Sequence, residues 1–214
     1  LLALRRRLRD AGAFAGGEPD LSTLLDLVAV GTVADLVWLD ANNRALVGAG
    51  LRRLRAGQGC IGLRALIESS GRDMRTLTAS DIGYALAPRI NAAGRLEDMG
   101  VGIACLLSED GAEARALASA LDAINAERKG VQQQMTDEAE AVLGRVSLEG
   151  TLPPVLCLFD SQWHPGVVGL VASKMKDRVH RPVLAFAPAE PGSDALRGSA
   201  RSIPGLHIRD ALAA

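Results

Sequence analysis

Polar side chains alternate with very small residues in the hexapeptide RGSARS. As a β-strand, this segment would place Arg197, Ser199 and Arg201 on one face and three small residues, Gly198, Ala200 and Ser202, on the other. A row of guanidinium and hydroxyl donors suits phosphate oxygens, so the pattern predicts a strand that binds an anion. The alternative is an ordinary solvated edge strand, although such a strand rarely needs small residues along its reverse face.

A second group of donors lies in PRINAAGRL. Proline disfavours the continuation of a helix, so we expect the preceding helix to stop near Pro88 and a short loop to carry Arg89, Asn91 and Arg95. Gly94 would then give the backbone the freedom to bring Arg95 close to a phosphate. The alternative is that these arginines only cap the ends of helices.

His164 lies in DSQWHPGVVG, at the point where a strand is expected to lead into a helix. This edge of an α/β sheet is the usual place for a ligand, and the N-terminus of the helix offers free N–H groups to an anion. His164 could contact such an anion or could cap the helix, and the sequence leaves both roles open.

Asp35 stands among apolar residues in GTVADLVWLD. An unpaired buried carboxylate is costly, so Asp35 either faces solvent or binds a metal ion. A catalytic divalent ion requires several ligands, and the sequence has no Asp-x-Asp, no His-Glu-x-x-His and no His/Cys cluster. It also lacks a P-loop and the Gly-x-Ser-x-Gly of serine hydrolases. The chain therefore carries anion-binding side chains and at most part of a catalytic centre.

The overall charge does not indicate a nucleic-acid-binding protein, because 24 Lys and Arg residues balance 25 Asp and Glu residues. Any site for a polyanion must be a local patch. Cys60, Cys105 and Cys157 are far apart and lack the spacing of a zinc site, which indicates reduced thiols in a cytoplasmic protein. No apolar run reaches the ~18 residues of a membrane span, so we expect no membrane partner.

Helical patterns dominate residues 21–144. The last of them opens on Asp110 and Glu113, a pattern typical of a helix start. It continues with apolar residues at intervals of three and four, and one of seven where Arg128 interrupts. It predicts a helix over 110–144, about 34 residues or ~50 Å long at about 1.5 Å per residue. A helix of this length is typical of a connection between two bodies.

From residue 150 the pattern changes. PVLCLFD, RPVLAFA and ALRGSARSI predict three strands, and HPGVVGLVASKMKDRV predicts a helix between the first two, with Pro165 in its first turn. Strand, helix and strand within about 30 residues indicate a βαβ unit. The sequence therefore predicts an α/β fold with a mainly helical part (1–109), the long helix (110–144) and an α/β domain (150–214).

Five segments of the sequence resemble, in the same order, the RecJ-type single-strand-specific 5′ exonucleases of the DHH phosphoesterase superfamily. They are GTVADLVWLDANNRALVGAGL, LAPRINAAGRLEDMGVGIACLL, LDAINAERKGVQQQM, WHPGVVGLVASKMKDRVHRPVLAF and GSARSIPGLHIRDAL. The resemblance runs over roughly residues 20–214, and several of the motifs are six or more residues long.

The resemblance implies that residues 1–109 are the C-terminal part of a DHH catalytic domain and that residues 150–214 are a truncated DHH-associated domain. The long helix would join them, and a DNA strand would pass through the groove between the two domains. The implied activity is the hydrolysis of phosphodiester bonds in single-stranded DNA from a 5′ end, in recombination and repair. Two Mn²⁺ or Mg²⁺ ions would activate water and stabilise charge on the phosphate.

The resemblance also implies roles for individual residues. Asp35 matches the last metal-binding acid of the family, and Arg95 matches the arginine that reaches the scissile phosphate, so both would be catalytic. Ser199 and Arg201 match the pair that binds the 5′ phosphate, and His164 lies in the family's Trp-His motif in the same cleft. The remaining predicted contacts with DNA or phosphate are Arg89, Asn91 and Arg197.

Several parts of the family's sequence pattern are missing from this sequence. The Asp-His-His triplet, the upstream Asp motifs, the downstream segment rich in glycine and histidine, and the oligonucleotide-binding fold are absent from it. We therefore expect the chain to be part of a longer enzyme and to be inactive alone.

Two other functions remain open: a DHH-family phosphoesterase for short oligonucleotides or cyclic dinucleotides, and a non-enzymatic nucleic-acid-binding module. The expected partner is single-stranded DNA with a 5′ end. A helicase and a single-strand-binding protein are candidate protein partners, and we expect a monomer.

Overall fold

The computed structural model describes residues 2–14, 17, 19–149 and 152–213, and it describes no side chain for residues 2, 142 and 145–149. The chain divides into two compact units. The first unit comprises Leu1–Pro88 and Ala104–Ala118, and the second unit comprises Arg89–Ile103 and Ser119–Ala214.

The described residues are mainly helical and form one small sheet. The α-helices are α1 (Leu2–Asp10), α2 (Leu25–Ala34), α3 (Ala41–Arg55), α4 (Ile61–Ser69), α5 (Ala79–Asp81), α6 (Ala87–Leu96), α7 (Gly100–Leu107), α8 (Gly111–Glu149), α9 (Val168–Val179) and α10 (Ile208–Ala213). The strands are β1 (Leu156–Phe159), β2 (Val183–Pro188) and β3 (Leu196–Arg201). Short 3₁₀-helices cover Leu21–Leu24 and Met74–Thr76. The predicted succession of a helical part, a long helix and an α/β part is confirmed.

In the first unit, helices α2 and α3 pack closely against each other. A Cβ atom on Gly50 would overlap the carbonyl oxygen of Leu25, so only glycine permits this approach. The apolar face of α3 is buried through Val47, Leu51 and Leu54. This packing fixes the position of α2, whose C-terminal cap is Asp35.

The prediction that the helix stops near Pro88 is wrong, because α6 contains Pro88 as its second residue. A turn of π-helix, Ile82–Leu86, precedes α6, and the N–H of Ala87 donates to the carbonyl oxygen of Ile82. Proline lacks an N–H group, and its ring crowds the carbonyl four residues earlier in a regular α-helix. The wider π turn gives that carbonyl room, so the helix continues through proline.

PRINAAGRL is consequently a helix and not the loop that we predicted. Gly94 has ordinary helical backbone angles, since it is absent from the described glycines with positive φ. A Cβ atom at this position would lie 2.8 Å from the Cε atom of Met99. Glycine is therefore used to admit Met99, and Arg95 owes its position to the end of a helix.

The predicted long helix exists as α8, which has 39 residues and extends five residues beyond the predicted end. At about 1.5 Å per residue it is ~58 Å long. Asp110 begins it, because its Oδ1 accepts hydrogen bonds from the backbone N–H groups of Ala112 (2.8 Å) and Glu113 (2.7 Å). Its buried apolar residues recur at helical spacing at Ala114, Ala118, Leu121, Met135, Ala139 and Leu143.

The second unit contains the three-stranded sheet, in the order β1-β2-β3. β1 and β2 are parallel and connected by α9, as the βαβ pattern predicts, and β3 pairs antiparallel with β2. Apolar residues of α8, α9 and the sheet form its core. They include Met135, Ala139, Leu158, Val171, Met175, Val183 and Ala185. Helix α9 is thereby held against β2 and β3.

The prediction that Pro165 lies in the first turn of α9 is wrong, because the N-cap of this helix is Val167. Pro165 instead occupies the second position of a turn in which the N–H of Val167 donates to the carbonyl oxygen of His164, at 3.0 Å. Proline favours this position, since its fixed φ angle matches the turn. The result is a tight turn that connects the residue after Trp163 to the start of α9.

None of the described helices is both long and apolar enough to cross a membrane. Cys60, Cys105 and Cys157 are free thiols. Burial, with a smaller effect of nearby Cys60, raises the pKa of the Cys105 thiol to about 11. Cys105 is therefore protonated at neutral pH and behaves as a small core residue.

Candidate phosphate-binding site

Trp163 fixes the segment that carries His164. It is buried, and its indole Nε1 donates to Oε2 of Glu138 on α8 at 2.8 Å. Just before it, Oδ1 of Asp160 accepts the N–H of Gln162 at 2.8 Å and forms a turn at the end of β1. The strand end and α8 together hold the Trp-His pair in one place.

The hydrogen bond that His164 accepts determines its tautomer. The backbone N–H of Gly166 donates to Nδ1 of the His164 ring at 3.1 Å. A nitrogen that accepts a hydrogen bond carries no proton, so the neutral ring has its proton on Nε2. Nε2 of His164 is therefore a hydrogen-bond donor, which is the polarity that a phosphate oxygen requires.

Gly166 also brings Arg95 beside His164. A Cβ atom on Gly166 would overlap the carbonyl oxygen of Arg95, and Nη1 of Arg95 donates to the carbonyl oxygen of Gly166 at 3.4 Å. Arg95 is the penultimate residue of α6, and its side chain is exposed. Two motifs that are about 70 residues apart in the sequence therefore meet at one glycine.

Ser199 and Arg201 lie against the first turn of α9. Nη1 of Arg201 donates to Oγ of Ser199 at 2.7 Å, and Nε donates to Oγ of Ser173 on α9 at 2.6 Å. A Cβ atom on Gly169 would lie 2.8 Å from Nη2 of Arg201 and 3.1 Å from Oγ of Ser199. Gly169 therefore makes room for both side chains beside the helix.

The register of β3 explains why these side chains point toward α9. Ser199 is opposite Ala185 and Arg201 is opposite Val183, and both partners are fully buried. On the other face, a Cβ atom on Gly198 would lie 2.5 Å from the ring of Phe186, so this ring requires the small residue. The strand and its two faces are as predicted, and Arg197 lies at the exposed end of the donor row, opposite Ala187.

The N-terminus of α9 completes the arrangement. Its N-cap, Val167, provides no side-chain hydrogen bond to the helix. The N–H groups of the first turn carry the positive end of the helix dipole and favour an anion. Together, His164, Arg95, Ser199 and Arg201 surround this end of the helix, and we call this group the α9 cluster.

The other predicted contacts lie apart from the α9 cluster or are engaged elsewhere. Nη2 of Arg89 forms an ion pair of 2.8 Å with Oδ1 of Asp122 on α8, so a carboxylate balances its charge. Asn91 is half-buried in α6. The phosphate-binding roles of Arg89, Asn91 and Arg197 stay predictions.

Asp35 belongs to the first unit, whereas the α9 cluster belongs to the second unit. Its side chain is exposed, and the next residue, Leu36, has a left-handed backbone with φ of 54°. No three His, Cys, Asp or Glu residues among those that the structure describes could hold a metal ion together. A divalent cation needs several oxygen ligands, so Asp35 fits as one ligand of such an ion and no more.

Sequence reasoning missed the residues that shape the α9 cluster without contributing charge, namely Gly166, Gly169 and Ser173. They recur at intervals of three and four, which is the spacing of one helical face. Such a row of small residues at the start of a predicted helix indicates that another element packs closely there. The sequence did not show that this element would be a strand carrying serine and arginine.

Comparison with known proteins gives two results for the sequence. Residues 152–214 match the DHHA1 domain family. Over 99% of its length, the chain is 54% identical to the single-stranded-DNA-specific exonuclease RecJ of Dickeya dadantii and 53% identical to that of Escherichia coli. The chain spans 37% of the length of each of these relatives.

Comparison of the fold with solved structures shows similarity to the same exonucleases. The crystal structure of RecJ from Thermus thermophilus in complex with Mg²⁺ superposes with a TM-score of 0.75 at 36% identity, over 91% of this chain and 29% of that one. A crystal structure of exonuclease RecJ bound to manganese superposes with a TM-score of 0.73 at 35% identity, over 92% of this chain and 47% of that one. The resemblance found in the sequence is thus confirmed along nearly all of the chain.

Proposed function

From the similarity of the whole chain to one segment of the RecJ exonucleases, we propose that it is part of a metal-dependent 5′ exonuclease that hydrolyses single-stranded DNA. The observation that supports this function within the chain is the α9 cluster. It gathers arginine, serine and histidine donors around the positive end of a helix dipole, and this combination suits a phosphate. Recombination and repair of cellular DNA, in the cytoplasm, are the processes that such an activity serves.

Ser199 and Arg201 would bind the 5′-terminal phosphate. The guanidinium of Arg201 is held by two serine hydroxyl groups, so little side-chain entropy is lost when it binds an anion. A terminal phosphate carries more negative charge than an internucleotide phosphate, and it therefore gains most from a preorganised arginine at a helix N-terminus.

Arg95 and His164 would act on the scissile phosphate. Arg95 neutralises the charge that builds up on the phosphate oxygens during hydrolysis. His164 donates a hydrogen bond through Nε2, because Gly166 already occupies Nδ1. Gly166 holds the side chains of Arg95 and His164 next to each other, since both form hydrogen bonds with its backbone.

Two divalent ions, Mn²⁺ or Mg²⁺, would supply the activated water and stabilise charge on the phosphate. Asp35 would provide one ligand, and the other ligands would come from parts of the enzyme beyond this chain. The RecJ structures that this chain resembles are described as bound to Mg²⁺ and to manganese, which supports the choice of metals.

The test compares DNA strands that differ only in their 5′ ends, using the full-length protein that carries this segment. Arg201→Ala should weaken the binding of 5′-phosphorylated single strands by about tenfold or more and that of 5′-hydroxyl strands much less, because one charge-assisted contact is lost. Arg209→Ala, which removes an exposed arginine of α10, is the matched control. Equal losses on both strands would contradict a 5′-phosphate site.

A further inference from the structure

A cavity of about 460 Å³ lies in the first unit, and the proposed function does not use it. It is lined by residues of α4 between Ile61 and Glu68, by residues 72–74, and by Gly111 and Arg115 at the start of α8. We call it the α4 cavity. Its lining includes neither Asp35 nor a member of the α9 cluster. The volume is within the roughly 300–1,000 Å³ that is typical of small-molecule sites.

One face of α4 forms a wall of the α4 cavity. Its lining residues recur at intervals of three and four, namely Ile61, Arg64, Ala65 and Glu68. A Cβ atom on Gly62 would overlap the carbonyl oxygen of Cys105, so α4 lies very close to the chain that leads into α8. This close approach brings α4 and the start of α8 to the same cavity.

The floor of the α4 cavity is apolar. Ala65 is 5% exposed and Ile67 is 1% exposed, and both line the cavity from its buried side. Ile61 and Met74 are half-buried and extend this surface. Such a floor suits a flat group of low polarity, such as a nucleobase.

Two guanidinium groups lie at the rim. Arg64 and Arg115 are exposed, and within the described part of the chain neither forms an ion pair. Nη1 of Arg115 lies 3.6 Å from the position of a Cβ atom on Gly111, so this side chain folds back over the first turn of α8. Arg72 also lines the cavity, but it forms an ion pair of 3.5 Å with Asp81. Arg64 and Arg115 are therefore the arginines that an external anion would meet.

The cavity also contains two carboxylates. Oδ1 of Asp73 accepts the backbone N–H of Arg75 at 2.9 Å, so it is engaged locally. Glu68 is exposed, one turn after Arg64 on α4. A carboxylate accepts hydrogen bonds only, so Glu68 requires a donor from a ligand. The α4 cavity thus combines two cationic groups, one acceptor and an apolar floor.

A nucleoside monophosphate has the complementary groups. A phosphate monoester carries about −1.5 to −2 charge near pH 7, which two guanidinium groups balance. Its base offers a flat face to the floor, and a base amino group or a sugar hydroxyl can donate to Glu68. A phosphate within a strand carries only about one negative charge, so a free nucleotide matches the two arginines better than an internal nucleotide of DNA does.

We propose that the α4 cavity binds a free nucleoside monophosphate. Arg64 and Arg115 bind the phosphate, the base lies on Ala65 and Met74, and Glu68 accepts a hydrogen bond. The choice of a nucleotide rests on the proposed function, because an exonuclease releases nucleotides as it degrades a strand. The α4 cavity is then a product site that is separate from the 5′-phosphate contacts of the α9 cluster.

The experiment titrates the full-length protein with deoxyadenosine monophosphate, without divalent metal, and measures affinity and stoichiometry by calorimetry. The double variant Arg64→Gln, Arg115→Gln should weaken the binding at one site by about tenfold or more, because two charge-assisted contacts are lost. In the wild-type protein the nucleotide should also slow hydrogen exchange of the α4 amides, and this protection should disappear in the double variant. Both side chains are exposed, so the substitutions should not impair folding.

The matched control is the double variant Arg44→Gln, Arg52→Gln, which removes two exposed arginines of α3 that do not line the cavity. It should bind the nucleotide as the wild-type protein does. Inorganic phosphate and deoxyadenosine should each bind the α4 cavity at least about tenfold more weakly than the nucleotide, since each provides only part of the contacts. If the control lost as much affinity as the cavity variant, general charge would explain the binding and the proposal would be wrong.

Single-stranded DNA tests the choice of a free nucleotide. The cavity variant should bind 5′-phosphorylated single strands nearly as well as the wild-type protein does. A loss for strands as large as that for deoxyadenosine monophosphate would mean that the cavity holds a nucleotide of the strand, and it would overturn the proposal.

This proposal and the proposed function fail in different ways. If the wild-type protein neither cleaves single strands with Mn²⁺ nor prefers a 5′-phosphorylated end, the proposed function fails. If it does both, and the cavity variant keeps the nucleotide affinity, stoichiometry and α4 protection of the wild-type protein, only the α4 cavity proposal fails. Arg201→Ala separates the two sites further, because it should leave the nucleotide-dependent protection of α4 unchanged.

Discussion

Several helices of the first unit begin with a side-chain acceptor from the protein, whereas the helix at the proposed site begins with valine. Asp40 caps α3, Asp110 caps α8, and Thr78 with its partner Asp81 forms a capping box on α5. Helix α9 of the second unit starts at Val167 without any side-chain cap. The same structural problem, unsatisfied N–H groups at a helix start, is solved in two ways.

The first unit also shows that a cap need not be local. Helix α4 begins at Cys60, whose side chain does not cap it, and Oδ2 of Asp26 on α2 accepts the Cys60 N–H at 2.7 Å. Asp26 is only 1% exposed. At the start of α4, the acceptor is therefore a carboxylate from another helix. At α9 the protein supplies arginine and serine, which would leave the positive helix end for the proposed external anion.

The largest expected effect concerns Asp35, which caps the C-terminus of α2. In the full-length protein, Asp35→Ala should lower Mn²⁺-dependent kcat by about a hundredfold or more, since it would remove the proposed metal ligand. Asp40→Asn, five residues further on, is the control, because Asn caps a helix as well as Asp does. If Asp35→Ala kept full Mn²⁺-dependent nuclease activity, a non-enzymatic binding role would become the better hypothesis.

A second change would give the start of α9 a carboxylate, as Asp40 gives the start of α3. Gly169→Asp places a carboxylate beside Arg201 and the N–H groups of the first turn, so it should occupy the site that the phosphate needs. Affinity for 5′-phosphorylated single strands should fall by at least about tenfold. Thermal stability should fall in this variant and in Gly169→Asn alike, because the new Cβ atom would lie 2.8 Å from Nη2 of Arg201. Gly169→Asn, of similar size but neutral, should have a smaller effect on affinity. Equal losses of affinity in the two variants would mean that space, and not charge, decides binding.

The third change removes the distant cap of the first unit. Asp26→Ala leaves the partly buried N–H of Cys60 without an acceptor and should destabilise the protein by about 2 kcal/mol. Chemical unfolding of the full-length protein, with hydrogen exchange of the α4 amides, measures this loss. Asp26→Asn retains one acceptor oxygen and should lose less, and DNA binding by the folded protein should stay the same in both. An unchanged unfolding midpoint in Asp26→Ala would show that water satisfies the N–H instead.

The smallest expected effect concerns the capping box of α5. The hydrogen bonds from Thr78 hold the pKa of the Asp81 carboxyl below its ordinary value. Because the folded pKa is lower than the unfolded one, the box stabilises the protein fully above about pH 4. That contribution should disappear as the pH falls through the lower, folded pKa. Thr78→Val should flatten this part of the stability profile, and an identical profile in both proteins would contradict the assignment.

Elements with a strong local signal were predicted well. The capping pattern and the apolar spacing predicted α8, and the βαβ pattern predicted β1, α9 and β2, because each signal lies within a few turns or one strand. Pro88 and Pro165 were misplaced, since the cost of proline depends on whether the neighbouring backbone can adopt a π turn or a tight turn. That choice depends on packing around the residue, which its immediate neighbours do not reveal.

The candidate site was predicted as separate pieces. The types of Arg95, His164, Ser199 and Arg201 already indicated phosphate chemistry, and the strand period placed Ser199 and Arg201 on one face. Their meeting at α9 depends on Gly166 and Gly169, where a single added carbon atom would collide with a partner far away in the sequence. No local rule gives such a contact.

The sequence by itself determined the helical and α/β parts, the donor row of β3 and the likeness to RecJ exonucleases, because these depend on residue type and spacing. Only the tertiary structure decided that Arg89 is paired with Asp122. It also decided that the N–H of Gly166 occupies Nδ1 of His164. The physical reason is that charge compensation and hydrogen-bond direction depend on distances between elements, and those distances are set by the packing of the folded core.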